Sequence, residues 1–423
     1  MTMNAEYDRL IQIGRPPNIT RRFPHSKALI VSGKVIDRAL GAKGQAMTIA
    51  ANGRNSFIIR GALQAAQRAD AALIIEIARS ECNYCPVNFY NIAMYVDTLC
   101  NELGITVPVA IHADHYGIKS EADLPFAKME IPSMFDAGIT SIAVDASHMP
   151  DDLNLLANIE LNKYIPGWAG LETEVGEIKG DMGLSTVEDA SFLIKGLNAH
   201  GIHPDWIALN NGTTHGLEAS GLGIQVDLTA EIHKAIEPYG VSGAQHGTSG
   251  NSSEKLRAIA AQTNTTKANV ATALQMVSWG VEVNDYGNAI LDSDGNFKKV
   301  KDQGMSEEMW RMMTAHAAKN GWKGGNYKNI NLPFEIKLLA QDKPVRERMA
   351  RAVEDFVYNI LTKVFNAAGT ASLAKEAILK AGSYDLGPKA GRIENPAEWT
   401  REEIVKRAKT LTGSKGPEGN FDD

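Results

Sequence analysis

Short apolar runs alternate along this chain with longer amphipathic stretches, and that alternation limits the fold more than any other feature of the sequence. Eight apolar runs each lead into a polar cluster: residues 46–51 (AMTIAA), 71–78 (AALIIEIA), 107–112 (VPVAIH), 141–145 (SIAVD), 170–175 (GLETEV), 206–209 (WIAL), 243–246 (GAQH) and 267–270 (KANV). Helix-like segments lie between them, at residues 56–68, 88–103, 121–137, 152–163, 187–200, 229–239 and 253–262. Short strands that alternate with helices indicate βαβ units in a parallel sheet.

Eight successive units favour closure of the sheet into a barrel. A doubly wound open sheet also alternates strands and helices, but it normally carries a glycine-rich phosphate loop (GxGxxG) after its first strand. The residues after the first run read Asn52-Gly53-Arg54-Asn55, which is not that loop. We therefore predict an α/β fold, a (β/α)8 TIM barrel with its core at about residues 27–280.

The pattern becomes irregular beyond the eighth run. Residues 281–331, rich in Gly, Asn and Asp, predict an inserted excursion that packs against the barrel or against a second subunit. In the C-terminal helical extension over residues 332–423, positions 342–368 have apolar residues at helical spacing and predict a long docking helix. The tail from about Gly413 is predicted to fray. We expect all these parts to belong to a single domain over residues 1–423.

Charge and composition exclude several classes of partner. The formal net charge is −7 and no long basic run occurs, so we expect neither a nucleic acid nor a membrane surface as partner. No stretch reaches the ~18 consecutive apolar residues of a spanning helix, and the N-terminal residues lack a secretory signal pattern. Three cysteines cannot form a disulfide framework in so long a chain, which favours the reducing cytoplasm.

Histidines follow three of the predicted strands, in three different βα units. The chain has 10 histidines, and His115, His215 and His246 lie where the βα loops of a barrel converge. Three imidazoles on one rim suit a Zn²⁺ ion with an open fourth position, the arrangement of a catalytic zinc. Any one of them alone would more often be an ordinary turn histidine, and we assign that role to His148. The triplet predicts a catalytic zinc site.

Glycine-bearing loops after the sixth and seventh runs predict a phosphate site. Gly216 and residues 246–250 (HGTSG) offer backbone N–H groups with no Cβ in the way, and a helix start near Ser252 follows. Thr272, after the eighth run, adds a hydroxyl. The phosphate pocket of a barrel often lies at the loops after strands seven and eight. A GTSG sequence also forms ordinary turns, so its position in the barrel carries the prediction.

Six segments of the chain form a series: residues 107–115 (VPVAIHADH), 137–150 (AGITSIAVDASHMP), 172–176 (ETEVG), 212–216 (GTTHG), 245–250 (QHGTSG) and 267–272 (KANVAT). In this order they resemble the class II, metal-dependent ketose-bisphosphate aldolases. The resemblance extends over about residues 27–371 and rests on the whole set, because no segment would suffice alone. It implies a (β/α)8 barrel, as the periodicity does.

The resemblance implies a role for each matching residue. His115, His215 and His246 would hold the catalytic Zn²⁺. Glu174 and Asp145 would ligate a second or alternative cation, divalent or monovalent. The dihydroxyacetone-phosphate half of a phosphorylated sugar substrate would be surrounded by Gly216, Gly247, Ser249, Asn269 and Thr272, with Asn269 helping to hold the enediolate. Asn52 is a further predicted substrate-binding residue.

Asp114 would be the acid/base of the reaction that the resemblance implies. Retro-aldol cleavage leaves a carbanion next to a ketone, and Zn²⁺ held by neutral imidazoles would polarise the carbonyl and spread that charge without a Schiff base. Asp114 would remove the proton of the C4 hydroxyl in cleavage and return it in condensation. A carboxylate that only orients the neighbouring His115 is the alternative.

The loop after the fifth predicted strand departs from the family pattern. The family carries paired acids there, one of which exchanges a proton with dihydroxyacetone phosphate, whereas residues 176–182 read GEIKGDM. Asp181, with Glu177 as the alternative, would supply that carboxylate. Two further family positions differ, since Ala273 and Ala78 stand where an acid and a serine are usual.

Other residues have both a functional and a structural interpretation. Arg79 follows the second strand, where it would bind a substrate phosphate or form a surface salt bridge. Arg346 and Arg351 would reach a second phosphate, with solvated helix charges as the ordinary alternative. For Cys82 and Cys85, which have CxxC spacing, a structural loop is favoured over a redox or zinc site.

These features together predict a zinc-dependent aldolase that reversibly cleaves a ketose bisphosphate. Fructose 1,6-bisphosphate is the leading substrate, and its products would be dihydroxyacetone phosphate and glyceraldehyde 3-phosphate. Tagatose 1,6-bisphosphate is an alternative substrate, and a non-catalytic barrel that supports another aldolase is an alternative function. The retained histidines and Asp114 argue against the latter, because unpaired polar groups on a rim have no packing role. We expect a homo-oligomer, a dimer or larger.

Overall fold

The structure is a computed structural model that describes residues 3–176, 183–213, 223–248, 251–284, 287–293 and 295–411. Its strands in these ranges are β1 (Ile30–Val31), β2 (Thr48–Asn52), β3 (Leu73–Ala78), β4 (Val109–Gly117), β5 (Ser141–Asp145), β6 (Gly170–Val175), β7 (Trp206–Leu209), β8 (Ser242–Gln245) and β9 (Thr265–Val270). Its α-helices are α1 (Met3–Gly14), α2 (Pro17–Arg22), α3 (Gly33–Lys43), α4 (Ser56–Ala69), α5 (Ile92–Leu103), α6 (Leu124–Asp136), α7 (Asp151–Leu161), α8 (Val187–Ala199), α9 (Val226–Ile236), α10 (Ser253–Gln262), α11 (Thr272–Trp279), α12 (Glu307–Lys319), α13 (Asn331–Leu339), α14 (Lys343–Asn359), α15 (Thr370–Ala381) and α16 (Arg401–Ala408). None of the helices in these ranges is long and apolar enough to span a membrane.

Eight of the strands close into a parallel barrel. Strands β2 to β9 pair with their neighbours in chain order, and β9 returns to pair with β2. The closing contact aligns Ala50 of β2 with Asn269 of β9. The predicted (β/α)8 barrel is confirmed. The short strand β1 lies outside the predicted runs and pairs in parallel with β4, where Ile30 lies opposite Val109.

Strand β4 is longer than its predicted run, whereas β5, β6 and β7 coincide with theirs. The predicted run ends at His112, but β4 continues past it and contains Asp114 and His115. The pairing of β4 with β5 shifts register between Ala113 and Tyr116, and His115 has a positive φ of 42°. A β-bulge of this kind re-aims a side chain at the rim of a barrel. The predicted strand end is therefore corrected.

Helix α4 shows how single residues set the start of a barrel helix and its packing against a neighbour. The side chain of Asn55 caps α4 by accepting from two backbone N–H groups of its first turn. Gly61 lets α14 approach closely, because a Cβ at Gly61 would lie 2.4 Å from the carbonyl oxygen of Ala350. The predicted docking helix is thus present as α14. It ends in a π-helical turn over Ile360–Val364 instead of continuing as an α-helix to residue 368.

The excursion at residues 281–331 is more regular than its composition suggests. Isolated antiparallel bridges join Val281 with Lys299, Val283 with Ala289, and Leu291 with Phe297. They are followed by α12, which Ser306 caps, and by a 3₁₀ turn over Gly324–Ile330. The excursion packs against the barrel, as predicted, because Met313 on α12 joins Trp279 and Met349 of the barrel-side helices in one apolar cluster.

Past α15 the chain crosses the amino-terminal end of the barrel. Lys389 lies 2.5 Å from the carboxylate of Asp37 and donates to Oγ of Ser242 at 2.7 Å. Burial and the charge of Asp37 raise the pKa of the neighbouring Asp205 to about 6. The frayed tail predicted from Gly413 onward lies outside the described residues.

Candidate active site

Four strand ends bring five ionisable side chains together at the carboxyl-terminal mouth of the barrel: Asp114, His115, Asp145, Glu174 and His246. All five are buried. Nδ1 of His115 lies 3.3 Å from Oδ2 of Asp145 and 3.1 Å from Oε1 of Glu174. The rings of His115 and His246 meet edge to face, with centroids 4.4 Å apart. Two of the three predicted imidazoles thus lie side by side, with the predicted carboxylates around them.

Several of the predicted site residues lie outside the part of the chain that the structure describes. They are Glu177, Asp181, His215, Gly216 and Ser249. The roles assigned to them from the resemblance therefore stay predictions.

The two glutamates of β6 show how the sequence places these groups. Side chains alternate across a strand, so Glu172 and Glu174, two residues apart, face the same side of β6. Oε1 of Glu172 lies 2.8 Å from Nε2 of His246, and Oε2 of Glu174 lies 4.0 Å from Nδ1 of the same ring. The imidazole of His246 is therefore held between two carboxylates.

Nδ1 of His246 is the atom that best tests whether a metal belongs here. It is buried, and it has no hydrogen-bond partner among the described residues. Native structures rarely leave such a nitrogen unsatisfied. In metal sites, a ligating imidazole commonly binds a carboxylate through its other ring nitrogen, as His246 does with Glu172.

The donor atoms fit a divalent metal. Four groups among the described residues each offer three ligand atoms within 4.8 Å of one another: Asp114 with His115 and His246, His115 with Asp145 and Glu174, Glu172 with Glu174 and His246, and Glu76 with His112 and Asp114. Imidazole nitrogen and carboxylate oxygen are ligands that Zn²⁺ accepts. The described residues are therefore able to hold such an ion.

Asp145 and Glu174 both contact His115, but their pKa values are shifted in opposite directions. Burial would raise the pKa of Asp145, but its hydrogen bond to His115 and the charge of that ring outweigh burial and lower the pKa. Burial and the charge of Asp145 instead raise the pKa of Glu174. A cation at this position would relieve the repulsion between the two carboxylates.

A buried lysine lies beside this cluster, inside the barrel. Nζ of Lys267 is 2.8 Å from Oε2 of Glu172, 3.3 Å from Oε2 of Glu76 and 3.7 Å from Oδ1 of Asp114. Burial would lower the pKa of Lys267, but these three carboxylates outweigh burial and raise it. Conversely, burial would raise the pKa of Glu172, but Lys267 and His246 lower it. Lys267 and Glu172 are therefore both charged.

The sequence pattern does not single out Lys267 or His112, because each lies within a run interpreted as an apolar strand. Their signal is a polar residue two positions before a candidate site residue, on the same side of the strand. Lys267 precedes Asn269 in this way, and His112 precedes Asp114. Burial and the charge of Lys267 lower the pKa of His112 to about 3. His112 is therefore neutral near pH 7.

Asp114, the predicted acid/base, is ionised. Burial would raise the pKa of Asp114, but the charges of His115 and Lys267 outweigh burial and lower it to about 2. Nδ2 of Asn269 donates to Oδ1 of Asp114 at 2.9 Å. The predicted acid/base and one predicted substrate ligand are thus in direct contact.

Asn52, another predicted substrate ligand, is held at the end of β2 by a buried ion pair. Its Nδ2 donates to Oε2 of Glu81 at 2.7 Å. Glu81 also accepts from the backbone N–H of Ala78 at 2.9 Å and from Nε of Arg54 at 2.6 Å. Glu81 was not identified by its sequence pattern, because nothing local marks a buried carboxylate in a loop.

Gly247 and Thr272, two residues of the predicted phosphate site, lie in the described part of the chain. Gly247 has a φ of 58°, a conformation that residues with a Cβ rarely adopt. Nδ2 of Asn251 donates to the carbonyl oxygen of Gly247 at 2.9 Å. Helix α10 follows directly, with Ser252 as its N-cap, and Thr272 is the first residue of α11. Two helix N-termini thus follow these loops, as anion binding favours.

A cavity of about 610 Å³ opens beside His115 and Asp145 of this cluster of ionisable side chains. Its wall includes His115 and Asp145 together with four basic side chains: Arg79, Lys119, His148 and Lys328. Nη2 of Arg79 lies 3.5 Å from Oε2 of Glu130, and its guanidinium packs 4.5 Å from the ring centroid of Tyr116. The structure thus contains a partly buried ion pair at Arg79, and binding of a substrate phosphate by this side chain stays a prediction.

The structure also places the other residues that the sequence analysis singled out. His148 lies in a turn, as predicted, and this turn also lines the cavity. Arg346 and Arg351 are not among the described residues that line it. Cys82 and Cys85 form no disulfide.

A parallel (β/α)8 barrel that gathers imidazoles and carboxylates at its carboxyl-terminal mouth has the architecture of a metal-assisted barrel enzyme. The family described as "Fructose-bisphosphate aldolase class-II" matches residues 34–321. The match covers more than half of the chain, and the chain belongs to this family. Its members are aldolases, which are lyases.

Proteins similar to this chain in sequence, at modest identity, carry the name fructose-bisphosphate aldolase. The fructose-bisphosphate aldolase of Streptococcus pneumoniae serotype 4 is 29% identical over 224 residues, which cover 51% of this chain and 69% of that protein. The fructose-bisphosphate aldolase of Staphylococcus aureus strain Mu50 is 32% identical over 130 residues, which cover 30% of this chain and 42% of that protein. These matches agree with the family assignment.

Solved structures share the fold. The YdjI aldolase of Escherichia coli K12 superposes with a TM-score of 0.54 and 15% identity, covering 81% of this chain and 99% of that one. The fructose-bisphosphate aldolase of Campylobacter jejuni superposes with a TM-score of 0.52 and 18% identity, covering 81% and 97%. At such low identity the likeness supports the barrel fold alone.

Proposed function

We propose that this protein is a zinc-dependent class II aldolase that reversibly cleaves fructose 1,6-bisphosphate into dihydroxyacetone phosphate and glyceraldehyde 3-phosphate. The observation that carries the proposal is the position of Asp114 against the His115–His246 pair, in a barrel of the aldolase family. An ionised carboxylate beside a metal-binding group suits removal of a hydroxyl proton next to a polarised carbonyl.

His115 and His246 would hold the zinc ion together with His215, which lies outside the described residues. When bound, Zn²⁺ would supply a Lewis acid for the carbonyl next to the breaking bond. Asp145 and Glu174 would offer the position for a second cation, divalent or monovalent, because both reach Nδ1 of His115.

Asp114 would accept the proton of the C4 hydroxyl in cleavage and return it in condensation. Its carboxylate is ionised because His115 and Lys267 stabilise the charge. The contacts from Asn269 and Lys267 are both made with Oδ1. Oδ2 would therefore face the substrate hydroxyl, with the carboxylate held in place from one side.

The environment of Lys267 argues against this lysine as one that forms an imine with the substrate. A lysine that attacks a carbonyl needs a neutral amine, which an enzyme obtains by lowering the pKa of that lysine. The carboxylates around Lys267 raise its pKa instead, and its side chain is fully buried. Lys267 would hold Glu172 and Asp114 in position as a fixed positive charge.

Dihydroxyacetone phosphate would place its phosphate at the glycine-rich end of the site. The loop at Gly247 and the N-termini of α10 and α11, the latter with Thr272, offer N–H and hydroxyl donors there. Gly216 and Ser249 would complete this pocket, and Asp181 would exchange the proton of dihydroxyacetone phosphate. These three assignments are carried over from the family resemblance.

The proposal also covers the location of the protein in the cell, its oligomeric state and its partners. We place the protein in the cytoplasm as a homo-oligomer, with a phosphorylated sugar as its ligand and without a nucleic-acid or membrane partner. Its charge and its three cysteines support this assignment. Tagatose 1,6-bisphosphate stays an alternative substrate, because it differs from fructose 1,6-bisphosphate in stereochemistry alone.

Metal analysis combined with product identification tests the function. We expect a zinc ion bound at the histidine site of each chain, formation of dihydroxyacetone phosphate from fructose 1,6-bisphosphate, and loss of both after chelation. Tagatose 1,6-bisphosphate and fructose 1-phosphate serve as comparison substrates. A protein that contains no metal and produces no dihydroxyacetone phosphate from any of the three would contradict the proposal and favour a non-catalytic subunit.

A further inference from the structure

A further cavity lies at the amino-terminal end of the barrel, opposite the candidate active site. Its volume is about 350 Å³, within the ~300–1,000 Å³ of small-molecule sites. Lys34 in the first turn of α3, Leu171 at the start of β6 and His203 just before β7 are part of its wall. Among the described residues, this wall shares no side chain with the cavity beside His115.

The loop before β6 is fastened to the start of α3 at this cavity. Oγ of Ser32, the N-cap of α3, donates to the carbonyl oxygen of Trp168 at 2.6 Å. Nζ of Lys34 donates to the carbonyl oxygen of Gly167 at 2.5 Å. Two side chains of one helix start thus bind two successive carbonyl groups of the loop. The ammonium group of Lys34 is therefore fixed at the wall of the cavity.

Lys34 is a buried lysine without a carboxylate in contact with it. It is 7% exposed, and in the described part of the chain no carboxylate oxygen lies within 4.0 Å of its Nζ. Proteins rarely bury a lysine unless its charge is paired. The first turn of a helix also disfavours a cation, because the helix dipole is positive there. An ammonium group has three donors, so donors and charge are both left for an anion.

The two acids behind the cavity make their contacts elsewhere. Asp37 pairs with Lys389, and Oδ2 of Asp205 accepts from the backbone N–H of Leu171 at 3.0 Å. Burial and Asp37 raise the pKa of Asp205, and the charge of Lys34 opposes this rise from a distance. Neither acid is among the described residues that line the cavity. An anion inside the cavity would therefore meet Lys34 without a carboxylate between them.

His203 adds a polar ring to the same wall. It is half-buried, and neither of its ring nitrogens has a hydrogen-bond partner among the described residues. Burial and the charge of Lys34 lower the pKa of His203, so the ring is neutral near pH 7. A neutral imidazole donates from one nitrogen. The ring is thus able to donate to an anion without adding a second positive charge.

The rest of the wall supplies apolar surface. Ile165, Leu171 and Ile202 line the cavity. One ammonium group beside an apolar surface matches a ligand with one negative charge and a hydrocarbon part. A phosphate group carries about −1.5 to −2 charge at pH 7, which a single lysine does not balance.

We propose that this cavity binds a small organic monocarboxylate. The carboxylate would pair with the ammonium group of Lys34 and accept from the ring of His203. The hydrocarbon part would pack against Ile165, Leu171 and Ile202. The site is independent of the proposed aldolase function, because the two lie at opposite ends of the barrel.

Two matched probes test the site on the zinc-loaded protein. 4-Fluorobenzoate carries one negative charge, and 4-fluorobenzamide has nearly the same shape without it. Broadening of the fluorine signal on addition of protein measures the dissociation constant of each probe. We expect the wild-type protein to bind the benzoate at least about tenfold more tightly than the benzamide, as a charge-assisted hydrogen bond provides.

Three variants locate the binding. Lys34→Met is expected to weaken binding of 4-fluorobenzoate about tenfold or more and to leave binding of 4-fluorobenzamide nearly unchanged. His203→Phe keeps a ring without its nitrogens and is expected to weaken binding of the benzoate about threefold or more. It carries the test if circular dichroism shows that Lys34→Met is unfolded. Lys163→Met removes an exposed lysine of the turn after α7 and is the matched control, with wild-type affinity for both probes.

Three results would overturn the proposal. The first is that the wild-type protein binds neither probe, or binds both equally. The second is unchanged binding of 4-fluorobenzoate in folded Lys34→Met, or in His203→Phe where Lys34→Met does not fold, because the benzoate would then bind elsewhere, as at the histidine site. The third is displacement of the probe by inorganic phosphate at lower concentration than by unlabelled benzoate, which would make the cavity a phosphate site.

Discussion

Nε2 of His246 lies 2.8 Å from Oε1 of Glu172, whose other carboxylate oxygen lies 2.8 Å from Nζ of Lys267. Because Lys267 and His246 lower the pKa of Glu172, this carboxylate is ionised and can only accept hydrogen bonds. In the neutral imidazole, Nε2 must therefore carry the proton, and Nδ1 presents its lone pair. One buried carboxylate thus selects the nitrogen of His246 that is available to a metal.

Substitution of Glu172 is expected to weaken zinc binding. Glu172→Gln removes the charge that orients His246 and balances Lys267, and carboxylates in this position typically account for about 10–100-fold in metal affinity. Competition with a chelator measures the dissociation constant, and circular dichroism reports whether the variant is folded. Glu160→Gln, which changes a partly exposed carboxylate on α7, is the control. Wild-type affinity in a folded Glu172→Gln protein would contradict the prediction.

The two described imidazoles are expected to be necessary for the metal. His115→Ala and His246→Ala each remove a nitrogen donor from a group of three ligand atoms, so both variants should bind no stoichiometric zinc and cleave no substrate. Native mass spectrometry measures the metal, and a coupled assay measures the cleavage. His25→Ala, an exposed histidine far from the rim in sequence, should match the wild type. Full zinc occupancy in either rim variant would show that the ion lies elsewhere.

Substitution of Asp114 is expected to abolish most of the catalysis without loss of the bound metal. Asp114→Asn keeps the shape of the side chain and an oxygen for Asn269, but it cannot take a proton. General acid–base groups contribute about 10²–10⁴-fold to rate, so kcat should fall by that factor while zinc stays bound. A folded, zinc-loaded variant with unchanged turnover would instead favour the alternative in which Asp114 only orients His115.

Glu335 is expected to make stability depend on pH. It is 8% exposed, and neither of its carboxylate oxygens has a hydrogen-bond partner in the described part of the chain. Burial raises the pKa of Glu335 to about 7 from 4.5. Between these values the folded protein binds more protons than the unfolded one, so the free energy of unfolding falls as pH rises from about 4.5 to about 7.

The matching variant is Glu335→Gln. This variant has no titrating carboxyl at position 335, so its stability against urea should not decrease between about pH 4.5 and pH 7 through this group. At pH 8 its urea midpoint should be higher than that of the wild type. At pH 8 the free energy of unfolding of Glu335→Gln is expected to exceed that of the wild type by about 1–3 kcal/mol, because the folded wild-type protein must keep a buried carboxylate ionised there. Parallel pH profiles of the two proteins would show that Glu335 titrates normally.

The spacing of apolar residues predicted the barrel strands and helices well, because the secondary structure of each segment depends largely on its own sequence. Strands β5, β6 and β7 coincide with their predicted runs, and α10 coincides with its predicted helix. It failed at β4, where a run judged by its apolar residues ends at His112 although the strand continues through Asp114 and His115. Polar residues at the end of a buried strand look like a loop until their neighbours in space are known.

The same limit explains what was missed in the site. Lys267 is a charged residue inside an apolar strand, and its position there makes sense once Glu76, Asp114 and Glu172 arrive from three other strands. No spacing rule connects these four residues, because closure of the sheet, and not distance along the chain, makes them neighbours.

The succession of apolar runs and amphipathic stretches was enough to predict eight βα units and to place His115 and His246 near strand ends, since a strand covered on both faces by the fold needs a continuous apolar run. The sequence pattern did not predict which side chains contact these two histidines. The hydrogen bond that Glu172 accepts from His246 and the ion pair of Glu172 with Lys267 depend on closure of the barrel. The position of Lys328 at the cavity wall depends on a turn anchored by buried hydrogen bonds. Hydrogen bonds and charges act over a few ångströms in space, and folding alone brings these residues within that distance.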